Sequence, residues 1–405
     1  MNALCTIKNL QPSDDGGSTT TIMSSKILSG GDEKVLRLFE APYNFVKTMN
    51  SLNPHFKTEG APTLIFSKEH SNNEVESMML DESAKKQPLG LMNKPAVLLA
   101  NKGARVDEEA EGGFGAEFDP ITVLSNTKKV QEVIQVAEPP VEDVLMARTL
   151  WPEQQKLYGH VFEVFAVAAS HRGDLAASAC KAQEIKYADI IIWDLTKGQT
   201  TVPACRLRAH KLTIVQLEFT HDDQYLLSCS RDRQWCLFKR QEGTLNFELM
   251  KKFKDAHSRI IWGISWSHDD RFFATGSREK QKGVKVWHGP AASDQVGTLA
   301  SELPLNAVAS TTALSFFPCS TRAHGGEYSL LVGLESGALM IWTLTDDGGD
   351  MPTWRKMTEV ASYYGHTLSV KRILFNLRAT QESDKTYQVA TCGSDQTVRI
   401  FGIKF

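Results

Sequence analysis

Hydrophobic and polar residues alternate in short runs along most of the chain, and this alternation predicts β-strands. Clear runs occupy residues 260–267 (IIWGISWS) and 328–342 (YSLLVGLESGALMIW). Gly, Ser and acidic residues between the runs are typical of tight turns. The pattern therefore predicts an all-β chain built from many short strands.

A unit of about 50 residues recurs along the chain, and a histidine placed before a strand marks it. His160 and His210 are 50 positions apart, and His210 and His257 are 47 apart. The 109 positions from His257 to His366 hold two units, of which the middle one has lost its histidine. This period predicts a WD-repeat β-propeller with four-stranded antiparallel blades.

Polar residues at fixed places in each unit have a structural role in such blades. The histidine, a hydroxyl residue of the second strand and an acidic residue of the next turn are expected to form a hydrogen-bonded chain that ends near a third-strand aromatic residue. The residues predicted for this network are His160, His210, Ser228, Asp232, His257, His366, Thr391, Asp395, Trp193, Trp287 and Trp342. Glu279 and Glu335 replace the acidic turn residue in two blades, where an altered network is expected.

The repeats divide the chain into three parts. Residues 1–42 are predicted to form a first, partial blade, 43–150 an irregular blade with long flexible insertions, and 151–405 five regular blades. The total is seven blades, or six if the irregular one is discounted. The last predicted strand ends near Phe405 without a fourth strand after it, and the strand that closes the ring is expected upstream of Met1.

Composition narrows the class of protein. Hydrophobic residues make up 41% of the chain, as in an ordinary folded protein, and no apolar run is long enough to span a membrane. The seven cysteines are scattered without a C-x-x-C pair, which disfavours a disulfide framework or a structural zinc site. A reducing, intracellular location is therefore expected.

No catalytic, cofactor-binding or metal-binding constellation is predicted. The four marker histidines occupy the same position in different blades, so they cannot converge on one metal ion. The segment Gly112-Gly-Phe-Gly115 lacks the third glycine and the preceding strand of a dinucleotide loop. The first strands carry mostly Val, Ile, Ser and Ala, which argues against a propeller enzyme.

One charged feature could bind a partner. In a propeller, the loops before first strands and between second and third strands lie on the same face, and here they carry many cations although the net charge is −3. The candidate residues are Arg208, Lys211, Arg231, Arg233, Arg259, Arg278, Lys280 and Lys282. They form either a solvated face paired with Asp222, Asp223 and Glu279, or a docking surface for an acidic partner segment or for RNA phosphates.

Several strings of residues resemble the second-subunit family of the Elongator complex. They are residues 29–42 (SGGDEKVLRLFEAP), 88–97 (PLGLMNKPAV), 150–160 (LWPEQQKLYGH) and 230–238 (SRDRQWCLF), and they occur in the order found in that family. The similarity is to the C-terminal of the family's two propellers, and the upstream propeller has no counterpart here.

The resemblance implies a function that the repeats alone do not. Elongator modifies the wobble uridine of certain tRNAs, and its second subunit is a non-catalytic scaffold without a cofactor. That subunit holds the large first subunit and the third subunit, which carries the radical S-adenosylmethionine and acetyltransferase chemistry. Contact with tRNA through the complex, no membrane, and a cytoplasmic location with the nucleus as a second compartment are implied. The alternative is direct RNA binding by the basic rim on the tRNA backbone.

Overall fold

A computed structural model of the 405-residue chain describes ten segments. These are residues 3–10, 21–40, 153–196, 202–279, 282–305, 310–319, 326–346, 352–361, 363–381 and 386–404. All statements on structure below concern these segments. The predicted irregular blade over 43–150 lies outside the described residues, as does Lys280.

The described strands form six antiparallel sheets, called sheets 1 to 6 in chain order. Sheet 1 contains β1 (Ala3–Leu10), β2 (Thr21–Gly30), β3 (Val35–Glu40) and β4 (Glu153–Tyr158). Sheet 2 contains β5 (Val164–Ala169), β6 (Leu175–Cys180), β7 (Asp189–Asp194) and β8 (Cys205–Arg208). Sheet 3 contains β9 (Ile214–Phe219), β10 (Tyr225–Ser230), β11 (Trp235–Arg240) and β12 (Phe247–Phe253).

Sheet 4 contains β13 (Ile261–Trp266), β14 (Phe272–Ser277), β15 (Val284–His288) and β16 (Leu299–Glu302). Sheet 5 contains β17 (Thr311–Phe316), β18 (Glu327–Leu334), β19 (Leu339–Thr345) and β20 (Thr353–Glu359). Sheet 6 contains β21 (Val370–Gln381), β22 (Thr386–Gly393) and β23 (Val398–Lys404). Two 3-10 helices cover Ile185–Tyr187 and Pro290–Gln295. Among the described residues, no helix is long and apolar enough to cross a membrane.

Strands pair in the order in which they occur along the chain, as in a WD blade. The first strands of sheets 2 to 6 pack on one another in succession, β5 on β9, β9 on β13, β13 on β17 and β17 on β21. The predicted all-β WD-repeat propeller fold with four-stranded antiparallel blades is thereby confirmed. Sheet 6 has three strands among the described residues.

Apolar side chains form the core between successive sheets rather than inside any one of them. Between sheets 3 and 4, the buried rings of Trp235, Phe273 and Trp287 meet at centroid distances of 5.0 to 6.4 Å. Between sheets 5 and 6, Phe317 packs on Phe375 at 4.4 Å. Because each sheet buries both faces in this way, the alternation along its strands is weaker than in a sheet with one wet face.

The contacts divide the chain into two compact units. One comprises Met1–Cys5, Leu28–Leu36 and Leu157–Phe405 and contains the successive packed sheets described above. The other comprises Thr6–Ile27 and Arg37–Lys156. In its described part, Arg37 pairs with Glu153 at 2.8 Å and Lys26 with Glu40 at 3.9 Å.

The fourth strand of sheet 1 comes from far along the chain. β4 follows β3 by more than 100 residues and is nevertheless its neighbour in the sheet. The strand just after the predicted boundary at residue 151 therefore belongs to sheet 1, and the later sheets begin at Val164. Residues 41–152, which separate β3 from β4 along the chain, lie outside the described residues.

Candidate functional site

Buried hydrogen bonds link the marker histidines to the second strands. In sheet 3, His210 Nε2 lies 2.8 Å from Ser228 Oγ, and its Nδ1 donates to Asp232 Oδ2 at 3.2 Å. In sheet 6, His366 Nε2 lies 2.9 Å from Thr391 Oγ1, and Nδ1 lies 3.0 Å from Asp395 Oδ2. These four polar partners lie in the positions that the repeat assigned to them.

Two further hydroxyl partners were missed by the sequence analysis. His160 Nε2 lies 2.7 Å from Ser178 Oγ, which also accepts a hydrogen bond from Trp193 Nε1 at 2.7 Å. His257 Nε2 lies 2.8 Å from Thr275 Oγ1, and Trp287 Nε1 donates to the same oxygen at 2.9 Å. The available signal was spacing, because each hydroxyl residue follows its histidine by 18 positions, as Ser228 follows His210.

The acidic partner of the marker histidine differs between sheets, and so do the pKa values of the histidine and of its partner. Burial lowers the pKa of His160 to about 4, and its Nδ1 has no hydrogen-bond partner in the described part of the chain. In sheet 4 the predicted replacement Glu279 takes the acidic position, with Oε1 3.4 Å from His257 Nδ1. Although burial opposes it, hydrogen bonds from His257 and Ser258 lower the pKa of Glu279 to about 2.

Sheet 5, which has lost the histidine and carries Glu335 at the acidic position, departs furthest from the pattern. Trp342 is buried, but its indole N–H has no hydrogen-bond partner among the residues that are described. Glu335 does not join a histidine network and instead contacts Arg278 of sheet 4. Within the described segments, no group of three or more His, Cys, Asp and Glu side chains could hold a metal ion.

Four of the predicted cations line one cleft, called here the arginine cleft. Arg231 and Arg233 belong to the turn between β10 and β11, Arg259 to the loop before β13, and Arg278 to the residue after β14. The cleft has a volume of about 940 Å³ and is also lined by Glu279 and Glu335, among others. The turns and loops of neighbouring sheets thus bring together four arginines, of which Arg231 and Arg278 are 47 positions apart.

Of the other four predicted cations, three do not line this cleft, and the fourth, Lys280, lies outside the described residues. Arg208 and Lys211 are exposed in the connection between β8 and β9. Lys282 is exposed and pairs with Glu302 at 2.7 Å. The cleft therefore collects half of the eight cations that were predicted as one arc.

Of the three acidic residues expected to neutralise the arc, Asp222 and Asp223 lie outside the cleft, whereas Glu279 lines it but is bonded to other groups. Asp222 and Asp223 lie in the turn between β9 and β10, at the opposite end of β10 from Arg231, and Glu279 is bonded to His257 and Ser258. The observed ion pairs are instead those of Arg278 with Glu335 and of Arg233 with Asp255, the latter at 3.7 Å between exposed groups. Such exposed pairs contribute about 1 kcal/mol or less.

Among the described residues, no acidic side chain pairs with two of the cleft arginines. Arg231 and Arg259 are exposed and make no ion pair with any described residue. Their guanidinium groups, fixed on short turns, present planar donor sets suited to carboxylate or phosphate oxygens. Chemically, the cleft can bind an anionic group.

The chain is similar in sequence to a known family of WD repeats and to known proteins. The family model described as "WD domain, G-beta repeat" matches residues 201–239 and 247–288. Elongator complex protein 2 of Rattus norvegicus is 34% identical over 402 residues, covering 93% of this chain and 45% of that protein. The resemblance to Elongator complex protein 2 is confirmed.

Relatives from two further organisms are also similar to this chain. Elongator complex protein 2 of Dictyostelium discoideum is 38% identical over 277 residues, covering 67% of this chain and 30% of that protein. The Schizosaccharomyces pombe protein is 30% identical over 400 residues, covering 97% and 46%. The chain spans about half the length, or less, of the curated relatives it matches.

The arginine cleft lies largely within the matched repeats. The segments 201–239 and 247–288 contain β8 to β11 and β12 to β15, and with them all four cleft arginines. The part of the chain that matches the WD-repeat model is therefore also the part that carries Arg231 and Arg259, which have no ion pair among the described residues. In this region, which is also similar to Elongator complex protein 2, the strands position the turns and loops that carry the cleft arginines.

Proposed function

We propose that this chain is a non-catalytic WD-repeat scaffold subunit of an Elongator-type complex that modifies the wobble uridine of tRNA. In this role it binds the large first subunit and the catalytic third subunit, and the arginine cleft is one of its docking surfaces. The observation that carries the proposal is the pair Arg231 and Arg259, which make no ion pair with any described residue and line a cleft between neighbouring sheets. The names of the curated relatives support the choice of complex.

The physical argument is preorganisation. The turn that holds Arg231 and Arg233 is fixed by hydrogen bonds from the Arg231 N–H to Thr213 O and from the Arg233 N–H to Ser230 O. A partner segment with carboxylates meets guanidinium groups on a backbone that is already ordered, so that binding requires little further loss of entropy. Charge complementarity of this kind also speeds association and confers salt dependence.

The experiment that tests the proposal is reconstitution with the first and third subunits. The double charge reversal Arg231→Glu/Arg259→Glu is compared with Arg172→Glu/Lys239→Glu, which reverses two exposed cations outside the cleft. We expect the cleft variant to lose co-purification of at least one subunit and the control to retain it. Retention of both subunits by the cleft variant in moderate salt would contradict the docking role.

Direct RNA binding is the second candidate, because phosphates suit the same guanidinium groups. It predicts that the isolated chain binds tRNA with an affinity that falls steeply with salt, with a log–log slope that becomes smaller in the cleft variant. A scaffold that contacts RNA only through its partners predicts no such binding by the isolated chain. A salt series of tRNA binding, with and without the partner subunits, distinguishes the two.

A further inference from the structure

An exposed apolar patch lies on sheet 2, whose first strand packs on that of sheet 3, the sheet that carries Arg231 and Arg233. Val161 and Phe162, in the loop before β5, are 51% and 40% exposed, and Ile185, in the first 3-10 helix, is 62% exposed. Tyr187 packs against Phe162 with ring planes at 89° and centroids 4.9 Å apart. A cluster of large apolar side chains in contact and facing water marks an interaction site more often than scattered single residues do.

The patch exists because sheet 2 departs from the repeat. In sheet 3, a four-residue turn, Arg231–Gln234, joins the second and third strands, whereas the corresponding connection in sheet 2 has eight residues, 181–188. The additional residues include the 3-10 helix that carries Ile185 and Tyr187. Neither side chain is needed to fill the core, since Ile185 is exposed and Tyr187 is only half-buried.

Two lysine side chains lie close to the aromatic rings of the patch. The ammonium of Lys34 lies 6.0 Å from the centroid of the Phe162 ring, and that of Lys186 lies 4.5 Å from the Tyr187 ring. Both lysines are exposed, so their long side chains can move aside when another group packs on the rings. Lys186 also pairs with Glu184 at 3.2 Å, a contact between two exposed groups that is weak in water.

Main-chain hydrogen bonds join the patch to the arginine cleft. Ala182, at the start of the long connection, accepts from Thr213 N–H and donates its N–H to Thr213 Oγ1, both at 3.0 Å. Thr213 in turn accepts from the N–H of Arg231 at 3.0 Å. Leu212, partly exposed, lies in this path. The connection that carries the patch and the turn that carries Arg231 are therefore both bonded to Thr213, and we infer that the patch and the cleft act as one surface.

We propose that this surface takes an extended segment of a partner protein that carries a bulky apolar side chain next to a run of carboxylates. The apolar side chain packs among Phe162, Ile185 and Tyr187, and the carboxylates enter the arginine cleft. The two halves fit this one occupant because an RNA backbone would leave the aliphatic Ile185 and Val161 without a partner. The inference rests on the docking role proposed for the cleft and specifies the chemistry of the segment that docks.

The test uses the full chain and labelled peptides in fluorescence anisotropy at stepwise salt. The first probe is an acidic peptide of about 16 residues in which Glu and Ser alternate. The second set consists of the same acidic peptide extended by a Leu-Phe pair, placed at a different distance from the acidic run in each member. We expect the best-spaced apolar pair to raise affinity about tenfold, the scale expected for burying one large apolar side chain. The double variant Phe162→Ala/Ile185→Ala should abolish that gain and leave the affinity for the acidic probe unchanged.

Two controls keep the result interpretable. Leu249→Ala/Met250→Ala removes two exposed apolar side chains of β12, and it should keep the tenfold gain. Ile185→Asp, at a strongly exposed position, serves if the double variant is poorly folded. Equal binding of both probes by the unaltered chain overturns the apolar half and leaves the cleft as an acidic docking site. Failure of either probe to bind overturns the inference, while the scaffold role is judged separately by co-purification of the subunits.

Discussion

The side chain of Arg372 on β21 reaches β9 and donates a hydrogen bond to Gln216 Oε1 at 3.0 Å. A second bond from the same guanidinium goes to the main-chain oxygen of Val215 at 3.2 Å. Gln216 also exchanges two hydrogen bonds with the main chain of Ile264 on β13, at 2.9 and 3.3 Å. One side chain of sheet 6 is thus joined to sheets 3 and 4, although sheet 5 lies between them in chain order.

Replacement of Arg372 by Ala should weaken this link between sheets. Hydrogen bonds to charged groups contribute about 1.5–3 kcal/mol, and we expect a loss of that order in the free energy of unfolding in urea. Arg372→Lys should recover only part of it, because an ammonium lacks the planar fork that reaches two acceptors. A double-mutant cycle with Gln216→Ala should give a coupling energy of at least about 0.5 kcal/mol. Simple additivity would mean that the contact contributes nothing to stability.

The buried histidine of sheet 2 should make stability depend on pH. Burial lowers the pKa of His160 to about 4, whereas an unfolded histidine titrates near 6.5. Between these values the unfolded chain binds the proton and the folded chain does not, so stability falls as the pH is lowered from about 6.5 to 4. The contribution is up to about 1.4 kcal/mol per pH unit. Urea unfolding at pH 7, 6 and 5 should show a shallower decline for His160→Gln than for the unaltered chain. An identical slope in both proteins would mean that folding does not lower the pKa of His160.

Much of the repeat could be predicted from the sequence because its signals are local. The histidine and the hydroxyl residue 18 positions later lie in one sheet, as His210 and Ser228 do, so their spacing is fixed by strand and turn lengths. The cleft arginines could be predicted for the same reason. Each lies at a constant place in its own unit, and the repeat fixes which face that place occupies.

Non-local pairings could not be predicted. β4 is the polar sequence EQQKLY, with no strong alternation, and only its contact with β3 shows that it completes sheet 1. One of the two alternatives for the basic arc pairs it with Asp222 and Asp223, which are acidic and near in sequence to Arg231. Their actual partners, Thr220 for Asp222 and the main chain of sheet 2 for Asp223, depend on turn geometry and on a neighbouring sheet.

Asp223 should be among the most important polar residues for the contact between sheets 2 and 3. It is fully buried, has a φ of 58°, and accepts the main-chain N–H groups of His171 at 2.7 Å and Arg172 at 2.8 Å. Asp223→Ala would leave two donors without their acceptor and place an alanine in the left-handed region, which it tolerates less well than Asp does. We expect a loss of about 2–4 kcal/mol in thermal or urea unfolding.

Two further variants distinguish this role from a local effect on the turn. Asp223→Asn keeps one side-chain acceptor and tolerates the left-handed region, so it should lose less than Ala does. Asp222→Ala, which removes a hydrogen bond within the same turn to Thr220, should also have the smaller effect. Equal losses for Asp222→Ala and Asp223→Ala would contradict a special role for the contact between sheets.

Gly337, in the turn between β18 and β19, should not tolerate any β-carbon. Its φ is 90°, and a β-carbon would lie 1.8 Å from the main-chain oxygen of His366. The contact cannot relax through a side-chain rotation, because the obstructing atom belongs to the main chain, and His366 N–H in turn donates to Gly337 O at 3.0 Å. We expect Gly337→Ala to lower the free energy of unfolding by about 3 kcal/mol or more.

Gly243 provides the matched control, because it has a similar φ of 70° but no described atom within 4 Å of the position that a β-carbon would occupy. Gly243→Ala carries the backbone strain alone, about 1–2 kcal/mol. The difference between the two variants in urea unfolding therefore measures the close approach of the loop before β21 to the turn of sheet 5. If both glycines tolerated alanine equally, strain would account for the whole effect and the two loops would be free to separate.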